Sequence, residues 1–184
     1  MLHPVYRIFL ILPIFLILQG SNLCWGADFQ RGLTAAQSGD FATALREWTP
    51  LAEQGDAVAQ TNLGQMYASG QGVPQDDRTA VKWYRLAAEQ GNAEAQTNLG
   101  VMYAKGLGVP QDYKTAVKWW RLAAEQGNAG AQGNLGLMYA KGNGVLQDYK
   151  TAVKWYKLAA EQENAAAADA QYNLGVMYKE GNGL

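Results

Sequence analysis

Apolar residues recur along this chain in two alternating kinds of stretch, each with the period of a helix. Ala95, Leu99, Met102 and Tyr103 fall at i, i+4, i+7 and i+8, the spacing of one stripe along an α-helix. The next stretch sets Ala116, Trp119, Trp120, Ala123 and Ala124 at similar spacing, with Asp112 in N-cap position and Gly127 closing it. We term these helix A and helix B. Between them, Gly106-Leu107-Gly108-Val109-Pro110-Gln111 reads as a turn. Its first glycine supplies the positive φ that ends helix A, and its proline holds Val109 extended. The pattern predicts two antiparallel helices.

The pair then repeats. Near-identical segments start at Ala59, Ala95 and Ala131, an offset of 36, and a fourth start at Ala170 arrives 39 residues later. A period of this length marks a solenoid, in which each pair buries its apolar stripe against the next. Full units are predicted at 56–91, 92–127 and 128–163, followed by a partial unit at 164–184 that holds helix A alone. Residues 27–55 read as a variant first unit. There Gly32 to Ala44 spans 12 residues, whereas Gly64 to Ala80, Gly100 to Ala116 and Gly136 to Ala152 each span 16, so the later units carry a turn four residues longer.

Two features break the local rules. Gly64, Gly100, Gly136 and Gly175 lie inside helix A, where glycine costs about 1 kcal/mol relative to alanine; close approach of helix B is the expected compensation. In the last full unit Leu146 replaces the turn proline, Glu163 replaces the closing glycine, and an alanine-rich run follows from Asn164 to Ala168. Alanine favours helix, so helix B of that unit is expected to run on.

Composition changes the picture at the N-terminus. Residues 1–26 hold Arg7, an apolar run from Ile8 to Leu18, and the small residues Cys24 and Gly26, the order of a secretory signal peptide cleaved after Gly26. The eleven-residue run makes about 16 Å of helix against a hydrocarbon core of about 30 Å. A retained anchor that draws in Val5, Tyr6 and Trp25 is the alternative. Cleavage removes His3 and Cys24, the chain's one histidine and one cysteine. Without Arg7, fourteen Lys and Arg face sixteen Asp and Glu, a net charge of −2 with no block of like charge. That offers no electrostatic footprint for nucleic acid or anionic lipid. General acid–base chemistry draws mostly on histidine, and metal sites on histidine and cysteine. The prediction is therefore no catalytic residue, no metal and no cofactor. A small hydrolase would need a carboxylate pair that breaks the repeat symmetry, and Glu89, Glu125 and Glu161 instead recur at one register. The Gly-x-Gly turns follow helices and precede Asp76, Asp112 or Asp148, which argues against phosphate binding.

The first unit resembles a tetratricopeptide repeat, whose pattern also fits Leu99, Gly100, Tyr103, Ala116, Trp120 and Ala123. The longer turn and the pattern AxxNLGxMY…GxGVPQDYxxAxxWYRxAAEQG resemble the Sel-one-like repeat family, from Ala27 to the end of the sequence. The resemblance implies an all-α, right-handed superhelical solenoid that acts as an adaptor for a protein or peptide. Cysteine-rich relatives are linked to β-lactam chemistry, but their cysteines are absent here and that activity is not carried over. In tetratricopeptide arrays the helix-A positions that vary between units line a concave groove, and an asparagine register holds the ligand backbone. By that resemblance the candidate partner-binding residues are Thr61, Asn62, Gln65, Thr97, Asn98, Val101, Lys105, Asn134, Leu137, Lys141, Tyr172 and Asn173. A hydrogen bond to the neighbouring helix is the other reading of the asparagines. Lys105 and Lys141 at the groove edge point to an acidic partner. The expectation is a periplasmic or secreted adaptor. The alternatives are an envelope protein that binds peptidoglycan or regulates a cell-wall enzyme, and self-association through the uncovered last helix.

Overall fold

The computed structural model describes residues 29–162 and 165–182; the predicted signal segment and its cleavage site lie outside them. Among the described residues there are nine helices and no strand. Helix α1 (29–37) pairs with α2 (Phe41–Glu53), α3 (Ala57–Ser69) with α4 (Asp77–Glu89), and α5 (Ala93–Lys105) with α6 (Tyr113–Glu125). Helix α7 (Ala129–Lys141) pairs with α8 (Tyr149–Ala160), and α9 (Ala165–Lys179) follows. Odd-numbered helices are the A helices and even-numbered ones the B helices. The first turn covers residues 38–40 and the later ones 70–76, 106–112 and 142–148, which is the four-residue difference that the glycine-to-alanine spacing gives. No helix of the described residues is long and apolar enough to cross a membrane.

Short polar side chains start the helices by accepting from amides that have no partner within the helix. Asp112 accepts from the amides of Lys114 at 2.9 Å and Thr115 at 3.1 Å, and the Thr115 hydroxyl donates to it at 2.6 Å. Those hydrogen bonds, the hydroxyl's first, hold its carboxyl below the usual carboxylate range. Asp76 and Asp148 repeat the arrangement with Thr79 and Thr151. The A helices have caps that the apolar pattern does not flag: Asp56, Asn92 and Asn128 accept from the amides of Ala59, Ala95 and Ala131. Helix α5 ends on Gly106, at φ 71°. The second glycine of that turn docks the unit on its predecessor, because a side chain at Gly108 would overlap the backbone of Asp77 and Arg78.

The core lies in the seams between pairs. Ala80, Val81, Tyr84, Ala87 and Ala88 of α4 are buried together with Ala95, Leu99 and Met102 of α5. The same positions of α6 and α7 form the next cluster, and α8 with α9 the last. One pair alone would leave its apolar stripe in water, so the fold requires stacking. A chain of buried amides crosses the same seams. Gln96 donates to the Ala88 carbonyl at 3.1 Å and accepts from Gln126 at 2.8 Å, and Gln60 and Gln132 do likewise with their own neighbours. These bonds satisfy polar groups that burial would otherwise make costly.

The alanine-rich run corrects one expectation. Helix α8 stops at Ala160, one residue shorter than α4 and α6, and α9 has 15 residues where the other full A helices have 13. The alanines therefore lengthen the following A helix at its start. Glu161 lies at the end of α8, where its amide bonds back to Lys157 and Ala159.

Candidate functional site

Glycine within the A helices is what brings the two helices of a pair together. A side chain at Gly100 would lie 2.5 Å from Trp120 Nε1, and one at Gly64 or Gly136 would overlap the ring of Tyr84 or Tyr156. The Trp120 indole N–H donates to the Thr97 carbonyl at 3.0 Å, and the Tyr84 hydroxyl donates to Gln65 at 3.2 Å. Burial raises the Tyr84 hydroxyl well above its usual range and pushes Tyr156 up to about 12. Of each adjacent aromatic pair one ring is buried, as Trp120, Tyr84 and Tyr156 are, and its neighbour Trp119, Trp83 or Trp155 is half-buried. Gly175 has nothing within 4 Å of where a side chain would start, since no described helix B packs over α9.

This core presents the A-helix side as a row of cavities. A cavity of about 240 Å³ between α5 and α7 gathers Val101, Lys105, Asn134, Leu137 and Lys141 over Trp120 and Met138. A cavity of about 350 Å³ between α7 and α9 shares Asn134 and Leu137 with it and adds Tyr172 and Asn173. A third, of about 300 Å³, places Asn62 and Gln65 beside Phe41 and Trp48 of the first unit. Nine of the twelve predicted residues thus meet in three cavities on one side of the array. The asparagine side chains of Asn62, Asn98, Asn134 and Asn173 form no hydrogen bond among the described residues, so the reading that ties them to the neighbouring helix does not hold. Lys105 and Lys141 are exposed and form no ion pair there.

Three predicted residues fall outside these cavities. Thr61 is 2% exposed, with its hydroxyl donating to the Ala57 carbonyl at 2.7 Å, so it cannot reach a partner. Thr97 is half-buried and bonds Ala93 in the same way. Asn98 is half-buried and lines none of the three. The register of Thr61 and Thr97 varies between units, but the space it occupies there is a packing position between neighbouring A helices. A depression of about 470 Å³ on the B-helix side, lined by Lys118, Arg121, Leu122 and Val145 among others, contains none of the predicted residues. Sequence periodicity misses it, because its basic residues are spaced as an ordinary solvated helix face. Among the described residues no group of histidine, cysteine or carboxylate side chains is arranged to hold a metal ion.

Antiparallel helix pairs stacked through continuous seams define an all-α helical repeat solenoid. The Sel1 repeat pattern matches residues 57–92, 93–128, 129–164 and 168–184, and the chain belongs to that family. A Sel1 repeat protein from Oxalobacter formigenes is 38% identical, with a TM-score of 0.73 over 83% of this chain and 62% of that one. A protective antigen of uropathogenic Escherichia coli that displays an SLR fold is 39% identical, with a TM-score of 0.81 over 94% of this chain and 38% of that one. The chain thus spans less than two thirds of the length of either. The cysteine-rich protein B of Helicobacter pylori shares the fold at 20% identity, with a TM-score of 0.55 over 70% of this chain and 92% of that one. No curated protein matches the chain by sequence. Sel1 repeats are generally scaffolds for protein–protein interaction.

Proposed function

We propose that this chain is an exported scaffold that binds a segment of a partner protein along the A-helix side of the array. The observation that carries this reading is the convergence on neighbouring cavities of side chains that differ between units, Val101, Leu137 and Tyr172, with asparagines common to every unit; the asparagine amides and both lysines have no partner among the described residues. Fixed scaffold positions beneath variable, unpaired surface positions are what a binding face requires. The cavity between α5 and α7 has an apolar floor of Val101, Leu137 and Met138 with two cations at its rim, which suits an apolar side chain next to a carboxylate. Export rests on the signal-like residues 1–26, and the protective antigen among the relatives supports it, since antibodies meet proteins outside the cell.

The test is partner capture followed by charge reversal. Partners recovered by affinity purification and mass spectrometry should bind the Lys105→Glu plus Lys141→Glu variant at least tenfold more weakly, a loss of about 1.4 kcal/mol. The fall should be mainly in association rate at low salt, because both charges lie at the rim. Unchanged binding in that variant would remove the assignment of the acidic partner to this cavity.

A further inference from the structure

The contacts between consecutive A helices are not equivalent along the array. Where α5 meets α7, Thr97 fills the seam, its methyl 3.7 Å from where a side chain on Gly130 would begin. Thr61, at the same register one unit earlier, is 2% exposed. In the next unit that register holds Gly133, and a side chain there would meet nothing within 4 Å. Gly130 would meet only Asn128 at 3.4 Å and Thr97. Neither glycine has a positive φ, and neither is crowded as Gly136 is, yet each weakens the helix relative to alanine. What they preserve is space, the cavity of about 350 Å³ between α7 and α9. That volume lies at the low end of ligand sites and suits one side chain with its adjoining backbone.

The chemistry of the walls differs from that of the neighbouring cavity. Asp169 is exposed at the edge with no ion pair among the described residues, and Tyr172 is 73% exposed beside it. Asn134 and Asn173 contribute two amides that are unpaired among the described residues, and Leu137 is shared with the cavity rimmed by Lys105 and Lys141. We propose that the α7–α9 notch receives a lysine or arginine side chain of the bound segment. Asp169 pairs with the cation, the Tyr172 ring packs against it, and the two asparagines hold the adjacent peptide groups. A cation beside an aromatic face gains from the ring quadrupole, and α9 already holds one in this way, with Lys157 Nζ 5.8 Å from the centre of the Tyr178 ring. The groove then carries opposite charges on the two sides of α7. A segment with one acidic and one basic residue fits in a single direction, and a reversed one meets like charges at both places.

This inference rests on the groove reading above, and the test separates the two. A synthetic peptide array in which acidic, basic and neutral residues are varied at each position is probed with the purified chain, and the best binders are titrated. The expected selection is for peptides that carry both an acidic and a basic residue. Asp169→Lys should weaken the selected peptide at least tenfold and replace the basic preference by an acidic one. Gly133→Leu, which fills the notch without a change of charge, should weaken it similarly while Tm stays level or rises. Peptides that respond to Lys105→Glu plus Lys141→Glu but not to Asp169→Lys or Gly133→Leu would overturn the inference and leave the groove reading in place. Failure of every peptide to bind would overturn both.

Discussion

Truncating Trp120 to alanine should lower the unfolding free energy by about 3–5 kcal/mol, the range for emptying a large aromatic site in a packed core. The ring is 2% exposed, lies over Gly100 and bonds the Thr97 carbonyl through its indole N–H. Its removal takes away contacts to both helices of the pair and to the following seam, where Val117, Ala123 and Leu135 belong to the same cluster. Urea denaturation followed by far-ultraviolet circular dichroism reads the loss. Stability within 1 kcal/mol of the parent would mean that the seam between α6 and α7 does not depend on this ring.

The second large effect approaches the same contact from the other side. Gly100→Leu should cost about 3 kcal/mol, the upper part of the usual range for an overfilled core, because its first side-chain carbon would already fall 2.5 Å from Trp120 Nε1. Gly175→Leu is the control. It sits at the same register of an A helix, but nothing lies within 4 Å of its added carbon, so the better helix former should stabilise by up to about 1 kcal/mol. In the Trp120→Ala background the cost of Gly100→Leu should shrink, since the leucine then occupies the space the indole has left. Equal effects at Gly100 and Gly175 would contradict the close-approach account.

Much of this architecture is legible from residue spacing alone. The offset of 36 requires equivalent environments for equivalent residues, so one unit's helix stripe, turn and cap stand for all, and the glycine-to-alanine distance gives the turn length. What spacing does not carry is the neighbour. Thr61 varies between units and so resembles a surface position, but its exposure is set by the packing of adjacent A helices, and it is buried. The chain of Gln60, Gln96 and Gln132 looks polar and solvated in sequence, and only the stacked fold shows each amide meeting a carbonyl across a seam and a second glutamine within its own pair. The alanines from Asn164 onward announce helix without saying which helix they join. The candidate site was half visible for the same reason. Lys105, Lys141, Leu137 and the asparagines follow from helical register, whereas the notch at Gly133 exists because of side chains that are missing, and a missing side chain has no periodicity.

The central claim is that the A-helix side is the working face. The most direct measurement is site-specific photo-crosslinking in cells that express the chain, with the photoreactive residue placed at Leu137 in the shared wall of the two cavities or at Leu122 on the B-helix side. The account predicts discrete crosslinked partners from position 137 and none of them from position 122. Partners captured from position 122 alone would show that the array works through its other face.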